Sequence, residues 1–478
     1  MREYLKFYID GKWVDPVESK TANTVNPATE AVSGTIALGS AADVDRAVKA
    51  ARKAFVTWSK TSREERLKIL QRIMEEYQKR VGDLAAAVMD EMGAPKGLAN
   101  GFQVGLGLGH LNTAIEVLKN FKFEEPRGGT LIVKEPVGVC GMITPWNWPI
   151  NQVTVKVFPA LATGCTMVLK PSQESHFSAH ILAEIFHAAG VPAGVFNLIQ
   201  GKGSIVGAAM AAHPGIDMIS ITGSESAGVE VAKSAAATVK RVCQELGGKS
   251  ANIVLDDADF AKNVGKGVSG MMVNSGQTCS ATSRMLVPKA RVNEAIAIAK
   301  QTAASVTVGD PNGDFAMGPV VSKAQFNSIQ EYIHKGIAEG ATLIAGGPGR
   351  PEGINKGWFV KPTVFANVTN NMVIAREEIF GPVLVIIGYD SVDQAIQIAN
   401  DTEFGLAGNV AGANLEKARA VARQIRAGWV SVNDGFDFHA AFGGYKKSGN
   451  GREWGEFGFH EYLETKSLLG YAPEKAAQ

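Results

Sequence analysis

Thiols are scarce in this chain: Cys140, Cys165, Cys243 and Cys279 are its four cysteines, and none is spaced as a Cys-x-x-Cys pair or as a zinc-ligand set. That excludes a disulfide-stapled scaffold and leaves at most one cysteine for chemistry. An excess of charge of either sign is also missing. Lysine and arginine total 48 against 47 aspartates and glutamates, a formal charge of +1, with no block of like charges long enough to follow a phosphate backbone. Nucleic acid is therefore not an expected partner. Nor is there a long apolar run, since the longest weakly polar stretch, Phe158 to Leu169, is too short to cross a bilayer. The opening Met-Arg-Glu-Tyr-Leu-Lys is too polar for a signal peptide, so a cytoplasmic chain with no membrane partner is expected. Repeats and low-complexity tracts are absent as well. What remains is an ordinary globular composition, 45% hydrophobic and 20% charged, in a chain of 478 residues, long enough for two or three domains.

From residue 139 onward, short β-rich runs alternate with helical patterns. Strands are expected at Val139–Ile143, Thr166–Leu169, Val195–Ile199 and Asp217–Ile221, with helices at Asn151–Leu161, His176–Ala189, Ser204–Ala212 and Ser226–Ala236. This is the pattern of βαβ units and a parallel, doubly wound sheet. The alternation restarts after about residue 250, with strands near Ala251–Leu255, Met285–Val287, Val383–Ile387 and Trp429–Val432, which predicts a second α/β domain. Ahead of both, Ala41 to Met92 carries long helical periodicity that reads as packing helices.

Several segments could carry chemistry. Gly201-Lys-Gly-Ser-Ile-Val-Gly207 and Thr222-Gly-Ser-Glu-Ser-Ala-Gly228 follow expected strands and could turn backbone N–H groups and a helix N-terminus toward a pyrophosphate, although neither is a G-x-G-x-x-G. Lys170 closes a strand, where open sheets bind ligands, or is simply a solvated lysine. Cys279, in Gly276-Gln-Thr-Cys, lies in a polar turn that could expose a thiolate, the alternative being an inert buried thiol. Glu245, in Gln244-Glu-Leu-Gly-Gly-Lys249, could be a general base beside glycines that leave room for a pocket. In Thr144-Pro-Trp-Asn-Trp-Pro149 two aromatics and two prolines fix Asn147 at a strand end, where its amide could donate to an oxyanion. His176, His180 and Glu184 share a helical face in a spacing that mimics a metal site, but without H-E-x-x-H the segment reads as an amphipathic helix and no metal is expected.

Together these segments resemble the NAD(P)-dependent aldehyde dehydrogenase superfamily. The resemblance runs in order through Pro145-Trp-Asn-Trp-Pro, Glu245-Leu-Gly-Gly-Lys, Gly276-Gln-Thr-Cys, Glu377-Glu-Ile-Phe-Gly-Pro382, Phe442-Gly-Gly-Tyr-Lys and Gly451-Arg-Glu. It extends from Phe7-Tyr-Ile-Asp-Gly-Lys-Trp to Glu464-Thr-Lys-Ser, nearly the whole chain. It implies two doubly wound α/β domains, a Rossmann-like cofactor domain at 1–117 and 137–247 and a catalytic domain at 248–461. It also implies a small β bridging element at 118–136 and 462–478 that joins subunits into a homodimer or homotetramer.

By the same resemblance Cys279 is the nucleophile, Glu245 the base, Asn147 with the Cys279 N–H the oxyanion hole, and Glu453 a second carboxylate that moves protons, unless it is merely solvated. Thiolate attack on an aldehyde makes a thiohemiacetal, hydride loss leaves a thioester, and water activated by Glu245 releases a carboxylate. A hydrolytic base argues against relatives that pass the acyl group to coenzyme A. The cofactor is expected to be NAD, with Lys170 on the adenosine ribose, Gly223 and Ser224 at the pyrophosphate, Glu378 on the nicotinamide ribose and Phe380 against the nicotinamide. Thr144, Pro145, Trp146, Asn147, Ser172, Gln173, Gly203, Gly207, Glu245, Leu246, Gly247 and Cys279 complete the implied cofactor set, with Lys156 close to the channel. One departure stands out: where NAD-preferring members commonly carry a glutamate that repels a 2′-phosphate, this chain has Gln173, so NADP use is plausible too. Phe436, Phe438 and Phe442, in the segment Asn433 to Phe442, favour an apolar aliphatic or aromatic aldehyde, and that segment has no arginine to clamp a second carboxylate. The alternatives are a semialdehyde dehydrogenase, a cofactor-independent cysteine esterase or thioesterase, and a catalytically retired protein on the same fold.

Overall fold

The computed structural model describes residues 1–257 and 259–471. Its first large sheet is built on five parallel strands whose side-by-side order is Arg241–Glu245, Met218–Thr222, Val139–Ile143, Thr166–Lys170 and Phe196–Leu198. Four of them, Val139–Ile143, Thr166–Lys170, Phe196–Leu198 and Met218–Thr222, are buried along their whole length, which is why they read as apolar runs rather than as alternating patterns. The chain begins in the middle, adds two strands on one side, then crosses to the other. The reversal falls between Ile143 and Thr222, so the crevice above those two strand ends is where such a sheet takes a ligand. Antiparallel pieces extend both edges: the hairpin Phe7–Ile9 and Lys12–Val14 beyond Phe196–Leu198, and Gly449–Asn450 beside Arg241–Glu245.

The helix Pro149–Thr163 starts with proline at its first turn, and every one of its residues is buried. It packs against the helices Val104–Asn120, Arg63–Lys79 and Gly455–Glu461, which explains a sequence that is apolar on all sides. The periodic stretch from residue 41 resolves into three helices, Ala41–Trp58, Arg63–Lys79 and Val81–Met92. The helix expected at Ser204–Ala212 is instead a π-helical turn, Gly203–Gly207, followed by a short α-helix, Ala208–Ala212.

The second large sheet has the order Thr342–Ala345, Thr363–Ala366, Val383–Tyr389, Arg284–Pro288, Ala251–Val254, Ala407–Ala411 and Trp429–Val432, parallel except for the first strand. Both sheets thus belong to one mixed α/β architecture of doubly wound type. Sequence pattern missed the strands Arg241–Glu245, Thr363–Ala366 and Ala407–Ala411. The last reads Ala-Gly-Asn-Val-Ala, whose small residues carry little strand preference and are held by pairing on both edges.

A separate three-stranded antiparallel sheet joins Glu124–Arg127 and Thr130–Pro136 to Leu463–Leu469. Residues 472–478, the remainder of the segment expected from 462 onward, lie outside the described residues. Among the described residues no helix is long and apolar enough to cross a membrane.

Candidate active site

Cys279 sits at the end of a tight polar turn. Asn274, Ser275 and Gly276 have φ of 54°, 55° and 71°, three successive left-handed residues that throw the chain back toward the cleft. A Cβ on Gly276 would lie 2.1 Å from the Gly381 carbonyl oxygen, so only glycine passes there. Side chains fasten the turn. The Ser275 hydroxyl donates to the Gly318 carbonyl at 2.8 Å, and the Gln277 amide donates to the Asn274 carbonyl at 3.0 Å while accepting from Val321 N–H at 2.9 Å. The turn leaves the Cys279 thiol half-buried, unlike the buried Cys140, Cys165 and Cys243.

Asn147 reaches the same place from the end of the strand Val139–Ile143. Its amide donates to the Gln277 carbonyl at 3.1 Å, and its own carbonyl accepts from Asn274 Nδ2 at 2.8 Å and Gln103 Nε2 at 3.3 Å. One amide hydrogen is spent on orientation, and the other has no partner among the described residues. Trp148 donates from its indole to the Thr278 hydroxyl at 2.9 Å, a further tie between the asparagine segment and the cysteine turn. Gln103 and Asn274 escaped sequence reading. Gln103 closes a π-helical turn, Ala99–Gln103, a feature found disproportionately at functional sites.

Glu245 ends the strand Arg241–Glu245 and is 2% exposed, with no partner among the described residues for either carboxylate oxygen. Burial, then the nearby charge of Glu453, pushes its proton affinity well above the usual carboxylate range, while Lys156 opposes this. Glu453 is itself buried and pairs with the buried Lys156 ammonium, which also donates to the Ser220 hydroxyl at 3.0 Å. It is not a solvated surface carboxylate. Burial pushes the Cys279 thiol up to about 12, with the charges of Glu378 and Glu245 adding to the effect. This thiol is a poor nucleophile alone and needs a base. Glu378 is raised to about 7 by burial, against the Gly248 N–H that donates to it at 2.9 Å.

Cys279, Asn147 and Glu378 meet at a cleft of about 410 Å³ lined by Pro145, Trp146, Asn147, Thr222, Gly223, Ser224, Leu246, Gly247, Cys279, Gln325, Glu378 and Phe380; Glu245, next to Leu246 in the chain, and Glu453 stand outside this lining. Eleven of the twelve are among the residues expected from sequence, or neighbour them; Gln325 is the addition, its amide donating to the Phe380 carbonyl at 2.9 Å. The cleft lies over the crevice between Ile143 and Thr222. Trp146 and Phe380 meet edge to face at 5.4 Å. Thr144, buried next to Pro145, is not part of this lining. Ser224 caps the helix Glu225–Ala236, and Gly223 donates to the Glu245 carbonyl at 3.1 Å.

Lys170, Ser172, Gln173, Gly203 and Gly207 stand outside that lining. Lys170 is buried, donates to the Pro171 carbonyl at 2.8 Å and is lowered to about 8 by burial; a Cβ on Gly207 would touch its side chain at 3.8 Å. Gln173 and Ser172 are partly exposed and Gly203 is exposed. The His176, His180 and Glu184 trio does not converge. His176 bonds Thr24 at 2.8 Å and the Gln173 carbonyl at 2.9 Å, His180 stacks on Tyr4 and Trp13, and Glu184 pairs with Arg80 at 2.9 Å.

Cys279 also packs against the edge of an apolar cluster made by Val155, Leu406, Ala407, Phe442 and Trp454. The expected aromatic segment forms this wall: Phe436 is exposed, Phe438 partly buried and Phe442 buried, so rings lead inward from the surface. Trp429 and Trp454, which the sequence reading did not single out, complete the nest.

Comparison with known proteins agrees with this geometry. A sequence model described as the aldehyde dehydrogenase family matches residues 13–468. A 3-succinoylsemialdehyde-pyridine dehydrogenase of Pseudomonas is 53% identical over 474 residues, 98% of this chain and 99% of that one. The crystal structure of a mutant of aldehyde dehydrogenase C from Pseudomonas syringae, in complex with NAD+ and octanal, superposes with a TM-score of 0.97 at 54% identity, covering 98% of each chain. A Mycobacterium tuberculosis aldehyde dehydrogenase complexed with NAD+ is 40% identical, with a TM-score of 0.96 over 100% of this chain and 99% of that one.

Proposed function

The chain belongs to the aldehyde dehydrogenase family, and from that premise we propose that it oxidises an apolar aldehyde to the free carboxylic acid, with NAD as hydride acceptor and Cys279 as nucleophile. The observation that carries this reading is the arrival of Cys279 and Asn147, from two separate elements, at one cleft, with the buried Glu245 carboxylate close enough for its charge to act on the thiol.

The cleft suits a dinucleotide. It opens at the reversal point of the parallel sheet, and Ser224 stands at a helix N-terminus. The buried Thr222 hydroxyl has no partner among the described residues, and Glu378 presents a carboxylate beside Gly247, where any Cβ would come within 2.3 Å of it. Gly223, Ser224, Leu246, Gly247, Glu378, Phe380 and the segment from Thr144 to Asn147 would hold the nicotinamide half, and Lys170, Ser172, Gln173, Gly203 and Gly207 the adenosine half. When bound, NAD supplies the ring that takes up the hydride. The P. syringae and M. tuberculosis relatives were both solved with NAD+. Gln173 removes a charge that would repel a 2′-phosphate, so NADP is accepted as a second cofactor.

Glu245, unpaired and with raised proton affinity, takes the Cys279 proton as the sulfur bonds to the aldehyde carbon. The free amide hydrogen of Asn147 and the Cys279 N–H hold the oxyanion of the resulting thiohemiacetal. After hydride loss, the thioester on Cys279 is cleaved by water whose proton Glu245 accepts, giving the carboxylate and the free thiol. Glu453 and Lys156, paired beside Glu245, pass each proton onward, so that Glu245 has lost the thiol proton and is ionised again before it accepts the water's.

An apolar aldehyde fits the aromatic wall beside Cys279, and the P. syringae relative carries octanal. A semialdehyde bearing a flat ring is the second reading, supported by the name of the Pseudomonas relative and by the number of rings in the nest. The two large sheets support a division into a cofactor domain at 1–117 and 137–247, a catalytic domain at 248–461 and a bridging element, with Gly449–Asn450 reaching back to the edge of the first sheet. In this reading the edge strand Leu463–Leu469, whose Leu469 is 82% exposed, joins subunits into a homodimer or homotetramer. Four free thiols suit the cytoplasm.

The test follows reduced-nicotinamide absorbance with purified protein, aliphatic, aromatic and semialdehyde substrates, and NAD or NADP supplied separately. Reduction by wild type and none by Cys279→Ala supports the reading. Ester hydrolysis dependent on Cys279, with no reduction by any aldehyde, would replace it with a cysteine hydrolase.

A further inference from the structure

Trp454 is the central plate of the aromatic nest. Its indole lies nearly parallel to Phe442, at 5.2 Å and 17°, and to Phe438, at 5.8 Å and 25°. His110 and Phe436 meet it edge-on at 5.0 and 5.5 Å, and Trp429 is tilted against it at 5.6 Å. The backbone holds the plate in place. Trp454 has φ of 71°, a conformation that bulky residues avoid, and it follows the two-way pairing of Phe442 and Glu453, whose N–H groups donate to each other's carbonyls at 2.9 and 2.7 Å. Phe438 is in turn pressed on the helix Val104–Asn120 at Gly109, where a Cβ would fall 2.3 Å from the ring.

A void of about 10 Å³ adjoins the indole, walled by His110, Pro159 and Phe459 and by the smaller Ala114, Gly455 and Gly458. Trp454 itself forms one wall of that void and also belongs to the cluster on which Cys279 packs. An acyl chain bonded to Cys279 that leads away from the cofactor cleft runs against this cluster, of which Trp454 is the member that also borders the void.

On the reading of the site given above, we propose that Trp454 is the specificity-determining residue for chain length. Its indole separates the acyl path from the adjoining void and sets how long a tail can be seated. Shortening the side chain would merge the two spaces. Burial of each additional methylene is worth about fourfold in kcat/KM, so the gain falls on long aldehydes. Butanal, too short to reach the new space, loses apolar contact instead.

The experiment measures kcat and KM for Trp454→Leu and Trp454→Phe with an even-numbered series from butanal to dodecanal and saturating NAD. The expected result is a dodecanal-to-butanal ratio of kcat/KM that rises about tenfold or more in Trp454→Leu, and less in Trp454→Phe, through opposite movements of the two KM values. A fall by the same factor for every aldehyde, or an unchanged ratio, overturns the proposal. NAD binding, followed by quenching of protein fluorescence, reports a damaged fold. Should Trp454→Leu fail that check, Trp454→Phe, which keeps a stacked ring, decides the matter by the same ratio. Wild type that reduces NAD with none of the series would sink the dehydrogenase reading and this proposal with it. Normal wild-type turnover with an unmoved ratio sinks only the role of Trp454.

Discussion

Lys156 and Glu453 form an ion pair inside the protein, with side chains 0% and 7% exposed, close enough to Glu245 for both charges to act on it. Glu453 raises the proton affinity of Glu245 and Lys156 lowers it. Replacing Glu453 by Gln removes the raising charge and frees the ammonium, so both changes lower the Glu245 pKa. Because Glu245 works as a base in its ionised form, the ascending limb of the pH–rate profile for thioester hydrolysis should move to lower pH in Glu453→Gln. A limb that stays in place, or moves up, would show that the pair does not tune Glu245.

The same pair carries a stability prediction. Lys156→Met strands a buried carboxylate, and breaking a buried pair in this way costs about 3–5 kcal/mol. Removing both charges, in Lys156→Met with Glu453→Leu, should cost clearly less than the single change. Urea unfolding of the two variants measures the difference, and equal losses would mean that packing rather than charge dominates there.

The reaction halves should separate by residue. Asn147→Ala loses the side-chain donor to the oxyanion, a change worth on the order of 10²–10³ in rate in comparable sites, and should slow formation of reduced cofactor in the first turnover. Glu245→Gln should slow both halves, since the thiol and the attacking water each need the base. Intact-protein mass spectrometry over a long incubation should find that the acyl group that does form on Cys279 persists in Glu245→Gln and turns over in Asn147→Ala. Persistence in neither would remove Glu245 from the hydrolytic step.

Much of this site was legible because its reactive residues sit in short local strings. Asn147 between tryptophans and prolines, Glu245 before paired glycines and Cys279 after a glycine turn each announce a constrained backbone. What supports them is not local. Gln103 and Asn274 meet at 3.5 Å across 171 residues of sequence, and Gln103 reads as one more polar residue in a helical pattern. Trp454 likewise follows no periodicity, and its place depends on a left-handed backbone and on rings contributed by three other segments. The strands foreseen are those with branched apolar runs; Ala407–Ala411, built of small residues, is a strand only because its neighbours pair with it.

Glu378 gives a pH test of cofactor binding. Burial raises it to about 7, so it is largely neutral in mildly acidic solution and ionised above neutrality. A carboxylate accepts hydrogen bonds from ribose hydroxyls more strongly than a carboxylic acid does. The affinity for NAD should therefore rise as pH increases through about 7, and Glu378→Gln should flatten that dependence. Calorimetric titrations across this range decide it, and an unchanged slope in Glu378→Gln would assign the titration elsewhere.

Gln173 bears on the choice between cofactors. It follows the strand that ends at Lys170, is partly exposed, and uses its backbone carbonyl to hold the buried His176 at 2.9 Å, which leaves its side chain free to be replaced without disturbing that contact. Gln173→Glu would place a negative charge where the proposed binding mode puts the adenosine ribose. Repulsion of a 2′-phosphate at about 4 Å amounts to about 1 kcal/mol per unit charge in water and more in a partly buried groove, so kcat/KM for NADP should fall at least about fivefold. The NAD value should hold or improve, because the ribose hydroxyls gain an acceptor. Added salt should shrink the NADP penalty if it arises from charge and leave it intact if it arises from shape. Equal losses for both cofactors would mean that residue 173 shapes the groove without reading the phosphate.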